Sequence, residues 1–522
     1  MPIRMVQDDP NENQDDQNNS NNDVNQQDTS GGGGGLGSML GFLPIILGVF
    51  GKSPKLLLFI AVIGAIWYFG GKGCASASDD NGITNRGCEM KTEEYDKAEV
   101  FEPLDPNQTT LPDAVSLLKY APPRGDQGQQ GSCVGWGSAY AARTILEAAS
   151  RGQSGQAVAF SPAFLYNQIS LEGCQGSYIS KAMEVMTKQG ALPYNEFPYT
   201  DESCSRRPDG NQIERAGQYR MRGYNRLTEG GNVYKANLDA IKQNLAQGGP
   251  VVVGMNVTQS FTSKMFGQKV WHPTQAEYMG QGNLGGHCMC LIGYDDKLEG
   301  GAFQIMNSWT PKWGENGVAW VKYSDFAKFD VESYGLYPMP KRDAAANQKF
   351  AIQLGLLENT TKKYIPLAVS SQNLFKTVQP IAKGTKFKIA VNNPVECYTY
   401  VFGQETDNSS YVLFPYNKKH SPFCGITGQR VFPRTESLQA DQTGNKDFMA
   451  VVVTKQALDY VKLNAAINAS RQGSYQAKLM EALGAQAINN VRFAANANGI
   501  IGFECDTQEN QAVAMIIEVD KK

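Results

Sequence analysis

Asp126-Gln127-Gly128-Gln129-Gln130-Gly131-Ser132-Cys133-Val134-Gly135-Trp136 is a glycine-rich turn that feeds a cysteine into what reads as the first turn of a helix. Backbone N–H groups and the dipole at a helix N-terminus favour an anion, so a thiol placed there gives up its proton more readily. Small residues follow at Gly135, Gly137, Ser138, Ala139, Ala141 and Ala142, with Val134, Tyr140, Ile145 and Leu146 between them. The pattern predicts a helix packed closely on several sides. A nucleophilic thiol needs a base, and the chain holds only three histidines, His272, His287 and His420. His287 opens the apolar run His287-Cys288-Met289-Cys290-Leu291-Ile292, bounded by Gly286 and Gly293, which reads as a core strand. Downstream come Asn307-Ser308-Trp309 and then Trp313-Gly314-Glu315-Asn316-Gly317.

In this order, Gln127, Cys133, Gly286-His287, Asn307-Ser308-Trp309 and Trp313 to Gly317 resemble the papain family of cysteine peptidases. The resemblance starts near Leu111-Pro112-Asp113 and runs to about Pro340. It implies Cys133 as nucleophile, His287 as general base and acid, and Asn307 as the amide that orients the imidazole. It also implies Gln127 and the Cys133 N–H as oxyanion donors, and Trp309 as a shield over the Asn–His hydrogen bond. Gly176, Ser177, Gly286 and Trp309 fall at the family's substrate-binding positions. The chain departs from the family where Gln130 replaces a disulfide-bonded cysteine, Val134 replaces a tryptophan and Ser177 replaces a glycine that lies along the substrate backbone. None of these changes removes a group the chemistry requires. The stretch between Cys174 and Cys204 is disulfide-bonded in the family. Cys288 and Cys290 read as small fillers of strand positions, and the cysteines form no zinc pattern. No metal or cofactor is expected.

A formal charge of -3 and a pI near 5.9 give no basic field for nucleic acid. Residues 1–35 are polar and end in a run of glycines, a composition too poor in apolar groups to fold, so they are expected to be a disordered tail. Residues 36–71 hold two apolar runs around Gly51-Lys52-Ser53-Pro54-Lys55. The second, Leu56 to Phe69, would span roughly 22 Å as a helix, against a ~30 Å hydrocarbon core. Flanking lysines and Trp67-Tyr68 suit an interface, so a single membrane span with an extracytoplasmic peptidase is expected. A helical hairpin, which returns the chain to its starting side, and a buried soluble helix are the alternatives. Residues 72–110 read as a linker, too short for the long inhibitory propeptide of many papain relatives.

The fold class expected is α+β. Residues 111–342 should form a two-lobed peptidase, helices first and strands after, with the site between the lobes. Ser161-Pro162 reads as a helix N-cap, Ile179 to Gln189 as a helix stopped by Gly190, and Leu238 to Leu245 as another. Residues 345–522 turn to short β-branched and aromatic runs, interrupted by a helical stretch from Leu458 to Gln486, and predict a mostly antiparallel β-sandwich. Through Tyr398-Thr399-Tyr400-Val401-Phe402 and Val412-Leu413-Phe414-Pro415 this half resembles β-rich accessory domains found beside peptidases and kinases in bacterial surface proteins, and a protein partner is expected for it. His420 and Cys424 read as surface loop residues. The function expected is cysteine endopeptidase acting on protein or peptide substrates. A catalytically silent scaffold and a thioester acyl transferase are the rival classes.

Overall fold

The central helix starts at Cys133 and runs through Cys133–Gly135, a π-helical stretch Trp136–Arg143 and Thr144–Arg151 without a break. In this computed structural model, which describes residues 3–8, 86–230, 234–340, 349–506, 508 and 510–522, the small residues expected to permit close packing do so. A Cβ at Gly137 would stand 2.9 Å from the Cys288 sulfur, so only glycine lets the helix approach the sheet this closely. Pro162–Ile169 is capped by the Ser161 hydroxyl, which accepts the Phe164 N–H at 2.9 Å, with proline at the first helical position. Ile179–Lys188 completes the helical lobe, with Ile179, Ala182, Met183 and Met186 buried on one face.

The second lobe is a sheet ordered Tyr224–Arg226, Asp330–Leu336, Val251–Thr258, Asn283–Asp295, Ala302–Met306, Val318–Lys322, Val270–Trp271, with Ala114–Ser116 added on Asn283–Asp295. The histidine strand lies mid-sheet. Its antiparallel register sets Met255 opposite His287 and Gly254 opposite Cys288. Helix first, sheet after, with the thiol on one and the imidazole on the other, is the arrangement expected from the sequence.

The C-terminal half is a sandwich of two sheets. One contains Phe350–Glu358, Lys386–Asn393, Glu436–Ala440 and Ile501–Cys505; the other contains Cys397–Gln404, Ser410–Phe414, Lys446–Thr454 and Ala512–Asp520. Pairing is antiparallel except that Leu374–Thr377 runs parallel to Ala512–Asp520. Phe350, Leu354, Ile389, Val401, Val451, Met515 and Ile517 meet in the core between the sheets. The expected helical interlude is two helices, Tyr460–Ala469 and Tyr475–Leu483, whose Leu463, Ile467, Leu479 and Leu483 cover Tyr400, Phe402, Val452 and Ile516 on the outer face.

Three expectations meet a different outcome. The expected linker is not a solvated connector in its described part: Tyr95, Phe101 and Leu104 are buried in the peptidase core. The Tyr95 hydroxyl donates to the Ser333 carbonyl and accepts the Ser333 N–H, each at 3.0 Å. A few aromatic and aliphatic side chains at the right spacing outweigh the polar composition around them. Second, the tail is not disordered at its start, because Ile3–Gln7 pairs antiparallel with Glu436–Ala440 at the sandwich edge. Its alternating residues find open backbone groups there. Third, Cys424 is not a surface residue but lies 2% exposed opposite Cys397, where its short strand Phe423–Cys424 joins the sandwich. Residues 9–85, which carry the rest of the expected tail, the membrane segment 36–71 and the start of the linker, lie outside the described residues. Among the described residues no helix is long and apolar enough to cross a membrane.

Candidate active site

Cys133 stands at the helix start with Val134 behind it, and the backbone N–H groups of Cys288, Gly87 and Val134 point at its sulfur. His287 is held from its far side: Nε2 and Asn307 Oδ1 are 2.7 Å apart. The Asn307 Oδ1 also accepts the Ser308 N–H at 2.7 Å, which fixes the amide's orientation. With Oδ1 acting as acceptor, Nε2 carries the proton and Nδ1 keeps its lone pair. Nδ1 meets no partner among the described residues. Trp309 stacks on the imidazole, centroids 4.1 Å apart and planes 22° from parallel. The tryptophan thus covers the Asn–His bond, as the resemblance implies.

Gln127 is wholly buried under this layer. Ser308 Oγ donates to its Oε1 at 2.7 Å, and its Nε2 donates to the Gln130 carbonyl at 3.0 Å. Tyr199 locks the same loop, donating to the Gln127 carbonyl at 2.7 Å and lying 2.6 Å from the Ser132 hydroxyl. Ser308 lies within the Asn307-Ser308-Trp309 motif but takes no role from the sequence, and Tyr199 stands outside every motif, so their contacts alone reveal what they do. A disulfide joins Cys174 and Cys204, and the Cys174 carbonyl accepts the Gly131 N–H at 3.2 Å.

The cleft is occupied. Residues Arg86 to Met90 lie across it in an extended course, bridged in parallel to Ser177 at Cys88. The Ser177 N–H donates to the Gly87 carbonyl at 2.8 Å, and the Glu89 N–H donates to the Ser177 carbonyl at 2.9 Å. The Cys88 N–H reaches the Gly286 carbonyl at 3.3 Å. Contact is so close that a Cβ on Gly87 would fall 2.0 Å from the Gly131 oxygen, and one on Gly286 would fall 2.2 Å from the Cys88 oxygen. The predicted substrate residues Gly176, Ser177 and Gly286 are therefore brought together, and they hold the chain's own backbone. Trp309, expected among them, instead faces the imidazole. No pattern in Arg86-Gly87-Cys88-Glu89-Met90 announced this placement.

Covering the site changes its ionisation. Cys133 and His287 are both 0% exposed. Burial pushes the Cys133 thiol far up, with the nearby Cys88 adding to it against the three N–H groups. Burial brings His287 down to about 3, helped by the Arg86 charge and opposed by Asn307. The covered pair is a neutral thiol and a neutral imidazole, because each charged form would be stripped of water.

Beneath the same cleft Asp330 and Glu332 are raised to about 8, burial being the first cause for each. Among the described residues no group of three or more His, Cys, Asp or Glu is arranged to hold a metal ion.

Residues 114–339 match the sequence model of the papain family cysteine protease. Cathepsin K of Mus musculus is 27% identical over 215 residues, which cover 40% of this chain and 59% of that protein. Cathepsin K of Gallus gallus is 30% identical over 203 residues, covering 38% of this chain and 54% of that one. The chain thus spans little more than half the length of these curated relatives. The crystal structure of xylellain, a cysteine protease from Xylella fastidiosa, aligns at 24% identity with a TM-score of 0.40, covering 49% of this chain and 96% of that chain. Taken with the motifs and their geometry, residues 114–339 are a papain-family cysteine protease domain.

Proposed function

We propose that the chain is a cysteine endopeptidase whose cleft is closed by its own Arg86–Met90 segment. The observation that carries this reading is the peptide-like way in which that segment is held. Backbone groups of Ser177 and Gly286 grip an extended chain directly beside the Cys133 sulfur and the oriented His287 ring. A polypeptide substrate presents the same backbone groups.

With the segment displaced, water re-enters, and the thiol can pass its proton to His287 Nδ1 as a thiolate–imidazolium pair. The thiolate attacks the carbonyl carbon of the scissile peptide, and the oxyanion forms beside the backbone N–H donors at the helix start. His287 returns the proton to the leaving amine, while Asn307 keeps the ring from turning. Water, deprotonated by His287, then hydrolyses the thioester and restores the thiol. An acyl transferase would share every step but the last, and no observation favours it. A silent scaffold would not require the Asn307–His287–Trp309 stack.

The test is hydrolysis of a mixed peptide library by the full chain with and without Cys133→Ala, alongside adduct formation by the epoxide inhibitor E-64. Turnover that survives in the variant would overturn the reading. Transfer to an added amine in place of hydrolysis would move it to the transferase class.

The same reading includes attachment to a membrane through residues 36–71. Its support is the pair of apolar runs in that segment, and the pairing of Ile3–Gln7 with Glu436–Ala440 would keep both ends of it on one side of a bilayer. This suits the hairpin better than the single span. The Cys174–Cys204 disulfide suits an oxidising, extracytoplasmic side. An impermeant label reaching both a tagged N-terminus and the sandwich of intact cells would support the arrangement; a label reaching only one of them would defeat it.

A further inference from the structure

We propose that Cys88 and Cys288 join as a disulfide that ties the Arg86–Met90 segment into the cleft, so that thiol reduction is what uncovers the site. The proposal rests on Cys133 being the nucleophile, and its test separates the two.

Both thiols are free and buried, Cys88 at 5% and Cys288 at 1% exposure, and they lie close enough to shift each other's ionisation. The backbone brings them there. The Cys88 N–H bonds the Gly286 carbonyl two residues before Cys288, while the Cys88 sulfur lies 3.3 Å from where a Cβ on Gly254 would be. Gly254 is the register partner of Cys288 in the adjoining strand. The space that a side chain at position 254 would fill is taken jointly by Cys88, Met90 and Ile179, each 3.3 Å from that Cβ position. The two sulfurs share this corner, with Gly137 of the central helix closing it.

Cys133 is nearby but is served differently. It is the segment's backbone, through the Gly87 N–H, that points at the Cys133 sulfur, and the Cys88 side chain turns to Cys288. A link from Cys88 to Cys288 therefore leaves the nucleophile reduced, covered and ready. The neighbouring Cys174 and Cys204 are already oxidised, so this part of the fold accommodates a disulfide-forming environment.

The chemistry balances with a small disulfide such as oxidised glutathione. As the segment lifts, the Cys88 thiolate attacks one sulfur and expels a glutathione thiolate. The Cys288 thiolate then attacks the Cys88 sulfur of the mixed disulfide and expels the second. Two protein thiols and one small disulfide become one protein disulfide and two glutathione thiols. A dithiol reductant reverses both steps. Without the bond the segment is held by three backbone hydrogen bonds and packing, and it can exchange with substrate. With the bond it cannot leave.

The test uses the full chain and its Cys88→Ser variant, each incubated with oxidised glutathione or with a dithiol reductant. Free thiols are alkylated, the chain is digested without reduction, and linked peptides are identified by mass spectrometry. A parallel portion is timed for E-64 adduct formation on Cys133. The expected result is a Cys88–Cys288 linked peptide, with labelling at least about tenfold slower in the oxidised chain and equal in the two states of Cys88→Ser. A Cys88–Cys133 link, a Cys88 still alkylated after oxidation, or equal labelling of the linked and reduced chain would each overturn the proposal. The linked peptide with no E-64 adduct on the reduced chain would support the latch and defeat the peptidase reading.

Discussion

The cleft of the peptidase and the lysine clusters of the sandwich bury ionisable groups in opposite ways. Around the cleft Asp330, Glu332, Cys133 and His287 are enclosed without an opposite charge, and all four shift toward their neutral forms. In the sandwich the buried ammonium of Lys521 reaches Asp441, Thr443 and Asp447 at 2.5, 2.7 and 2.7 Å, one acceptor for each of its hydrogens. Lys388 is similarly met by Asp8 at 3.0 Å and by the carbonyls of Pro433, Arg434 and Glu436. A charge with its partners built in is a permanent part of a fold. A group neutralised only by burial regains its charge when water returns, and that is what a catalytic pair must do. The largest effect is expected there. Cys133→Ala should lower peptide hydrolysis on the order of 10⁵-fold or more while leaving circular dichroism and the unfolding midpoint of the chain close to wild type. A variant that loses both would mean that the cysteine is a packing residue.

The paired charge offers the next test. In Lys521→Met the Asp441 and Asp447 carboxylates lose a common cation. Asp447 already stands raised to about 6, because its burial outweighs the lysine's help. Breaking such a buried cluster typically costs about 3–5 kcal/mol. Urea unfolding of the variant should show that loss, with E-64 labelling of the reduced chain unchanged. A stability equal to wild type would mean that the cluster is no more than geometric.

What the sequence made legible follows the same division. Cys133, His287 and Asn307 were readable because their chemistry demands particular residue types in a particular order, and the strand and helix periods around them are strong. The sandwich's long strands, such as Lys446–Thr454 and Ala512–Asp520, were readable from apolar runs. Short ones such as Phe423–Cys424 were not, since two residues carry no period and only the partner strand defines them. The covering segment was illegible for a related reason. Arg86 to Met90 binds through its backbone, so its residue types say little, and the glycines that admit it are far away in sequence.

Smaller is a dependence on pH that arises in the peptidase. The folded pKa values of Asp330 and Glu332, about 8, lie above their ordinary ones, so the folded chain retains protons that the unfolded chain has lost. Their contribution is therefore complete in acid and is lost as pH rises through about 8. His287, lowered to about 3, works in the opposite sense between about pH 3 and its ordinary 6.5. The window from pH 6.5 to 8 separates these carboxyls from His287. Across it the stability of the chain should fall, with a slope of at most about 1.4 kcal/mol per pH unit for each group. Asp330→Asn should flatten it. An equally steep decline in the variant would place the protons elsewhere.

The smallest effect is expected from removing residues 1–8, and it bears on how redundant the sandwich's pairing is. Deletion takes away five paired residues at the sheet edge together with Asp8, which lies 3.0 Å from Lys388 and accepts from the Ser437 hydroxyl. Lys388 keeps three backbone carbonyls, so its charge is not stranded. The edge strand Glu436–Ala440 also stays anchored at Lys386 and Phe387 on its other side. The freed segment recovers chain entropy that offsets much of the lost pairing. A cost of about 1 kcal/mol in unfolding free energy is expected. A loss near that of Lys521→Met would show instead that the N-terminal strand is an integral member of the sheet. The sandwich would then depend on a partner strand drawn from the opposite end of the chain as firmly as it depends on its own buried charges.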